Sequence, residues 1–163
     1  MSAATDLQRT YRDTIGHFAT GVTIVTTPGP AGPAGMTTSA VTSLSLDPLL
    51  LLVCFDRGSR TLDGVRSSRR FAVNVLRASD GELAAMFASK RVAREKFESV
   101  THREAHGVPV IDSALAWIAC ELRELLERGD HFIGIGEVSG MGVGAAGDPL
   151  VYLRGGYTTT VAG

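Results

Sequence analysis

Cysteine is scarce in this sequence: two among 163 residues, Cys54 and Cys120, each inside an apolar run. No CxxC pair occurs and neither cysteine has a metal-type neighbour, so free thiols in a reducing compartment are expected and a disulfide is not. Aromatic residues make up only 6% of the chain, with a single tryptophan, which argues against a base-stacking nucleic-acid platform. The net charge of -1 removes any general pull toward nucleic acid or acidic membranes. The longest apolar run, Leu49 to Phe55, is too short to cross a bilayer. Met1 to Asp6 lacks the basic and apolar regions of a signal peptide, so a cytoplasmic protein is expected.

Several catalytic signatures are missing too. No GxGxxG follows a strand and opens a helix; Gly134, Gly136 and Gly140 have the wrong spacing and fall in a strand-like segment. There is no Walker A sequence, and no GxSxG elbow of the hydrolase type. His102 and His106 stand four apart, but Arg103, Gly107 and Pro109 around them read as an exposed loop, so no metal site is expected.

What is present suits one β-rich domain over residues 1–163, long enough for a real core, with nineteen glycines implying many tight turns. Thr5 can cap a first helix carrying Leu7, Tyr11, Ile15 and Phe18 on one face, with Gly21 as its stop. Val22 to Thr27 alternates as a strand, and the Pro/Gly run 28–35 reads as a hairpin loop. The segment Gly35 to Pro48 forms the second strand, broken by Asp47-Pro48. Leu49 to Phe55 reads as a fully buried strand, Thr61 to Ser67 as a short helix capped by Ser59, and Phe71 to Leu76 as a strand with one polar residue, Asn74, in its middle. Ser79 to Ser89 is an amphipathic helix capped by Ser79, with Glu82 at the capping-box position; Lys90 to Val100 is charged and partly helical. Leu115 to Glu127 fits helix or strand, and local pattern slightly favours helix. Gly129-Asp130-His131 is a turn, Phe132 to Val138 a strand whose glycines suggest a bend or bulge, and Leu150 to Leu153 a last short strand. At least six short strands with a few helices imply a closed or partly closed barrel.

Three features could carry chemistry. Thr37, Thr38, Ser39, Thr42, Ser43 and Ser45 crowd hydroxyls into one strand-like stretch, which is either a wet edge strand or a cradle for a polar ligand. Arg57, Arg60, Arg66, Arg69 and Arg70 form a basic cluster against only Asp56 and Asp63. It is either a solvated helix face or, with Ser59, Thr61 and Lys90, a phosphate site at a helix start. His131 is either an exposed turn histidine or a hydrogen-bonding or proton-donating group at a site rim.

In this order and spacing, Gly16-His17-Phe18-Ala19-Thr20-Gly21-Val22-Thr23-Ile24-Val25-Thr26-Thr27, Gly35-Met36-Thr37-Thr38-Ser39-Ala40, Thr42-Ser43-Leu44-Ser45-Leu46-Asp47-Pro48, Phe71 to Leu76, Lys96-Phe97, Gly129-Asp130-His131 and Pro149-Leu150-Val151-Tyr152 resemble the short-chain flavin reductase family. The resemblance covers nearly the whole chain. It implies a mainly β fold with flanking helices, the Greek-key-like FMN-binding split barrel, and settles the segment near Trp117 as strand. It implies an NAD(P)H-dependent flavin reductase that passes hydride from NADH or NADPH to FMN or FAD. Such a reductase supplies reduced flavin to a separate flavin-dependent oxygenase, as in two-component monooxygenases, and a homodimer is implied. Carried across, Thr37, Thr38, Ser39 and Ala40 border the isoalloxazine. Ser43, Leu44 and Ser45 lie along the ribityl chain, and Cys54 and Phe55 end a strand beside the flavin. Ser59, Arg60 and Thr61 meet the phosphate with Lys90 nearby, and Phe87 and Ser89 belong to the same wall. His131 sits close to the nicotinamide as the catalytic candidate, with Tyr157 helping to hold it. Leu49 departs from the family, which usually has a second proline there. The resemblance separates neither FMN from FAD nor NADH from NADPH. A non-catalytic flavin-binding module of the same fold is the alternative, and an anion- or nucleic-acid-binding protein using the arginine cluster is a more distant one.

Overall fold

β-branched and apolar residues alternate with small polar ones along most of the chain, and the computed structural model, which describes residues 3–160, turns them into twelve strands and four helices. A seven-stranded antiparallel sheet is the frame. It contains β2 (Thr23–Thr27), β3 (Ala34–Thr38), β4 (Val41–Leu46), β5 (Leu49–Asp56), β6 (Arg70–Val75), β9 (Ala116–Arg128) and β10 (His131–Val143), in the spatial order β3-β2-β6-β9-β10-β5-β4. β1 (Thr20–Gly21), β11 (Leu150–Leu153) and β12 (Gly156–Thr159) make a small second sheet, and β7 (His102–Ala105) and β8 (Val108–Ile111) a hairpin.

β3 and β4 are consecutive in the chain yet lie at opposite edges of the sheet. Only Ser39 and Ala40 join them. Three Cα steps span at most about 11 Å, so the sheet curls until its two edges nearly meet. They do not pair with each other, and the barrel stays split along this seam. The hydroxyl-rich stretch expected as one strand is therefore two. At the seam Cys54 N donates to Ala40 O at 3.0 Å, and Ala40 N donates to Thr38 Oγ1 at 3.1 Å.

Curling gives the sheet an inside and an outside, and side-chain alternation fills both. Val25, Val53, Phe55, Phe71, Val73 and Leu122 pack inside, with the Phe55 and Phe71 rings edge to face at 5.9 Å. Ile24, Leu76, Phe87 and Phe97 form a second core outside, under the helices. β5 is not buried on both faces as its apolar run suggests: Leu51, Val53 and Phe55 point inward, while Leu50, Leu52 and Cys54 are half-buried. Gly134 and Gly136 of β10 leave room for the rings of Phe55 and Phe71, and register shifts at 135/136 and 138/140 confirm the expected bulges.

α2 (Arg60–Ser68) is capped by Ser59, whose Oγ accepts from Thr61 N at 3.2 Å, as its sequence implies. α3 (Gly81–Ala88) differs from expectation. A 3-10 turn over Ala78–Asp80 precedes it, and Asp80 Oδ2, not Ser79, caps the turn by accepting from Arg77 N. α4 (Ala93–Glu98) accounts for the partly helical charged segment. α2, α3 and α4 all pack against β3. α1 (Ala3–Ile15) contains Thr5 instead of starting after it, and ends at Ile15, well before Gly21. Its apolar face is open: Leu7, Tyr11 and Ile15 are exposed, as is Phe18 beyond it.

The segment 115–127 is strand, as the resemblance implies and against the local pattern, because β9 is held on both sides by β6 and β10. The stretch around His102 and His106 is a tight hairpin instead of a loop; His106 and Gly107 both take positive φ, the geometry a two-residue turn demands. Asn74, the lone polar residue of its strand, is fully buried. Its Nδ2 donates to Ile24 O and Thr26 Oγ1, and its Oδ1 accepts from Ile111 N, tying β2, β6 and β8 together.

Candidate functional site

A cavity of about 800 Å³ opens beside the seam, between the N-terminus of α2, the end of α3 and the start of β10. Each wall has a local cause. Ser59 caps the nine-residue helix α2 by taking the N–H groups of Thr61, Leu62 and Asp63, and this puts Gly58, Ser59, Arg60 and Thr61 on the cavity wall. Arg60 donates to Lys90 O at 3.0 Å and Arg91 O at 2.6 Å, which pins the loop after α3 across the opening. Gly35 lets the Phe87 ring lie flat on β3; a Cβ there would come within 2.9 Å of it. Thr37 Oγ1 donates to Ala84 O at 2.6 Å, so this hydroxyl holds α3 in place and leaves the Thr37 backbone to face a ligand.

At the other end, antiparallel register sets His131 opposite Asp56. The β9–β10 turn is fixed by Arg57, which donates to Gly129 O and pairs with Glu127, while Arg57 N donates to Asp130 O. His131 Nδ1 donates to Asp130 Oδ1 at 2.7 Å. That hydrogen bond holds the Asp130 carboxyl below its ordinary value, and it leaves Nε2 as the ring nitrogen open to a ligand. Burial pushes the half-buried Cys54 thiol up, so it is a neutral wall group instead of a nucleophile.

Of the residues singled out in the sequence, Thr37, Thr38, Cys54, Ser59, Arg60, Thr61, Phe87, Ser89, Lys90 and His131 line this one cavity. Ser39 and Ala40 form the adjoining seam. Ser43, Leu44 and Ser45 follow on β4 and do not line it; Ser43 and Leu44 are exposed, and Ser45 Oγ accepts from Asp47 N. Phe55 is in the core between the cavity residues Cys54 and Asp56. Tyr157 stands apart on β12, ring to ring with Tyr152 at 5.8 Å and near the start of α3. The arginine cluster disperses: Arg57 holds a turn, Arg66 lies over Phe132, and Arg69 donates to Leu122 O, so Arg60 alone reaches the cavity. Among the described residues no group of side chains could hold a metal ion, and no helix is long and apolar enough to cross a membrane.

The structure adds lining residues that spacing did not reveal: Met36, whose Sδ accepts from Ser59 Oγ, and Asp56, Arg91 and Lys96. Arg60, Lys90, Arg91 and Lys96 set four cations against one carboxylate, Asp56, in a chain of net charge -1. Asp56 is itself occupied, accepting from Gly58 N at 2.8 Å. A cavity with cations and a helix start at one end, and a strand edge and a histidine at the other, fits a flat polar ring system carrying a phosphate. The donor set thus suits a flavin nucleotide.

Comparison with known proteins gives the same reading. The family described as "Flavin reductase like domain" matches residues 15–160. A Rhizobium meliloti (strain 1021) protein named a probable flavin reductase is 41% identical over 153 residues, 93% of this chain; the chain spans 48% of that relative's length. The reductase subunit HsaB of a flavin-dependent monooxygenase from Mycobacterium tuberculosis (strain CDC 1551 / Oshkosh) is 37% identical over 161 residues, 97% of this chain and 84% of its own. Among solved structures, nitrilotriacetate monooxygenase component B from Mycobacterium thermoresistibile superposes with a TM-score of 0.92 at 36% identity, covering 98% of this chain and 89% of that one. The NADH:FAD oxidoreductase SgcE6 from Streptomyces globisporus C-1027, solved with NAD and FAD fragments, gives 0.88 at 32% identity, covering 99% and 96%. The chain therefore belongs to the flavin reductase like domain family, with the mainly β, split-barrel fold of its structural neighbours.

Proposed function

We propose that the chain is an NAD(P)H-dependent flavin reductase that delivers reduced flavin to a separate oxygenase component. The observation that carries this reading is the single cavity joining the cationic N-terminus of α2 to the barrel seam and to His131. When bound, the flavin accepts hydride from a reduced nicotinamide, chemistry that belongs to the two cofactors. The protein's task is to hold, orient and shield. Ser59, Arg60, Thr61 and Lys90 hold the phosphate at the start of α2. Thr37, Thr38, Ser39 and Ala40 border the ring, where negative charge develops, with Ala40 N and O committed to the seam itself. Cys54, Phe87 and Ser89 wall the ring in. Ser43, Leu44, Ser45 and Phe55 are kept as flavin neighbours, and Tyr157 as a nicotinamide neighbour, on the strength of the resemblance. His131, steadied by Asp130, offers Nε2 to the nicotinamide carboxamide or to a proton.

The oxygenase partner is supported by the relatives named as reductase components of two-component systems. A homodimer is supported by the open apolar face of α1 and by exposed Leu46 on β4. Free thiols at Cys54 and Cys120 support a cytoplasmic setting. His131→Ala tests the catalytic assignment: NADH oxidation should fall at least about tenfold, the equivalent of one lost hydrogen bond of about 1.4 kcal/mol, while flavin affinity holds. Unchanged turnover would return His131 to ordinary turn chemistry and leave a flavin-binding module.

A further inference from the structure

Asp56 is the one carboxylate on the cavity wall, and the fold puts it beside His131. The two stand opposite each other across β5 and β10, and Arg57 N donates to Asp130 O just beyond them. That bond marks Asp56 and His131 as a non-hydrogen-bonded pair, the kind whose side chains share one face of the sheet at the closest approach. Each has one polar atom committed and one free. Asp56 Oδ1 accepts from Gly58 N at 2.8 Å, and no other hydrogen bond or ion pair reaches this carboxylate among the described residues, so Oδ2 is free. His131 Nδ1 donates to Asp130 Oδ1, so Nε2 of the neutral ring is an acceptor. Oδ2 and Nε2 are therefore two neighbouring acceptors, in a cavity whose other charged lining groups besides His131 are the cations Arg60, Lys90, Arg91 and Lys96.

Two adjacent acceptors suit a group with two N–H donors. A hydroxyl has one donor, and a phosphate or carboxylate has none and is repelled by Asp56. The amino group of a primary carboxamide has both. In a reduced nicotinamide that carboxamide sits on the reacting ring, next to the carbon that gives up hydride. We infer that Asp56 is a specificity-determining residue that clamps the nicotinamide carboxamide together with His131, one N–H going to Oδ2 and the other to Nε2. The clamp fixes how the ring is turned against the flavin and rejects donors that lack the amino group. This inference rests on the reductase reading above and on the place that reading gives His131.

The probe is the reduced acetylpyridine analogue of NADH, which has a methyl group where the carboxamide has its amino group and is otherwise the same. Asp56→Asn keeps an acceptor for Gly58 N and exchanges the free acceptor for a donor. Asp56→Ser, whose hydroxyl also accepts two residues along a turn, is the second variant should the first not fold. With flavin present, kcat/KM for NADH should fall about tenfold in the variant, while that for the analogue changes less than about twofold, as the loss of one charge-assisted hydrogen bond implies. Each donor is compared with itself, so its intrinsic strength as a hydride donor cancels. Flavin affinity, read by fluorescence quenching, should not move, whereas a general disturbance of the cavity wall would weaken it. No loss with NADH, or weakened flavin binding, overturns the inference and leaves Asp56 as a brace for the turn into α2. Equal loss for both donors overturns it too, because Asp56 would then act on a part that the two share, such as the adenine amine. Wild-type protein that oxidises neither donor with flavin present overturns the reductase reading itself, and the inference with it.

Discussion

At the scale of single residues, the site depends on groups whose protonation is set by what surrounds them. Lys96 has a lowered pKa in the folded chain because burial, and then Arg60, disfavour its charge. Between that lowered value and the ordinary value of about 10.4, the unfolded chain holds one more proton than the folded chain, so this group makes stability rise with pH through that window. Denaturant unfolding at successive alkaline pH values should show the rise in wild type and lose it in Lys96→Met. The two thiols differ in access. Cys120 is buried and its pKa is pushed up to about 12, whereas Cys54 is half-buried on the cavity wall. A thiol reagent should therefore label Cys54 slowly and Cys120 only on unfolding, and bound flavin should protect Cys54. Labelling of Cys54 that flavin does not slow would contradict its place in the site.

At the scale of elements, close packing across strands controls stability. A Cβ on Gly136 would meet the Phe71 ring at 2.5 Å and the Cys120 side chain at 2.7 Å, both in the core. Gly136→Ala should cost about 1–3 kcal/mol in denaturant unfolding, as overpacking does. Asn74→Ala strips the Ile111 N–H and the Ile24 carbonyl of their buried partner and should cost a similar amount, about 1–3 kcal/mol. These two residues show how much of the fold could be read in advance. Asn74 stood out as one polar residue in an apolar strand, and Ser59 as a cap, because each signal is local. The split of Thr37 to Ser45 into two edge strands was hidden, since it arises from curling of the whole sheet. β9 looked slightly helical because its apolar residues satisfy both periods, and only pairing with β6 and β10 decides. The same division holds for the site. Ser59, Arg60, Thr61 and His131 were legible from turn and cap chemistry and from the resemblance. Lys96 was part of a pair that carries the resemblance, but in a charged segment nothing in spacing marks it as the lysine that tertiary packing buries on the cavity wall.

At the scale of the whole molecule, a curled sheet whose edges do not pair leaves a seam, and the helices packed against β3 leave the cavity open beside it. The open face of α1, continued by Phe18 just beyond it, with Leu7 and Phe18 each 71% exposed, is the feature an isolated protomer leaves unexplained. Sedimentation velocity at micromolar concentration should give a dimer, and a monomer would contradict the proposed assembly. Turnover of flavin by reduced nicotinamide is read from the loss of NADH and NADPH absorbance with and without added FMN or FAD. Oxidation should be negligible without flavin, rise with added flavin and saturate. No oxidation with either nucleotide, in protein that still quenches flavin fluorescence, would contradict the reductase reading.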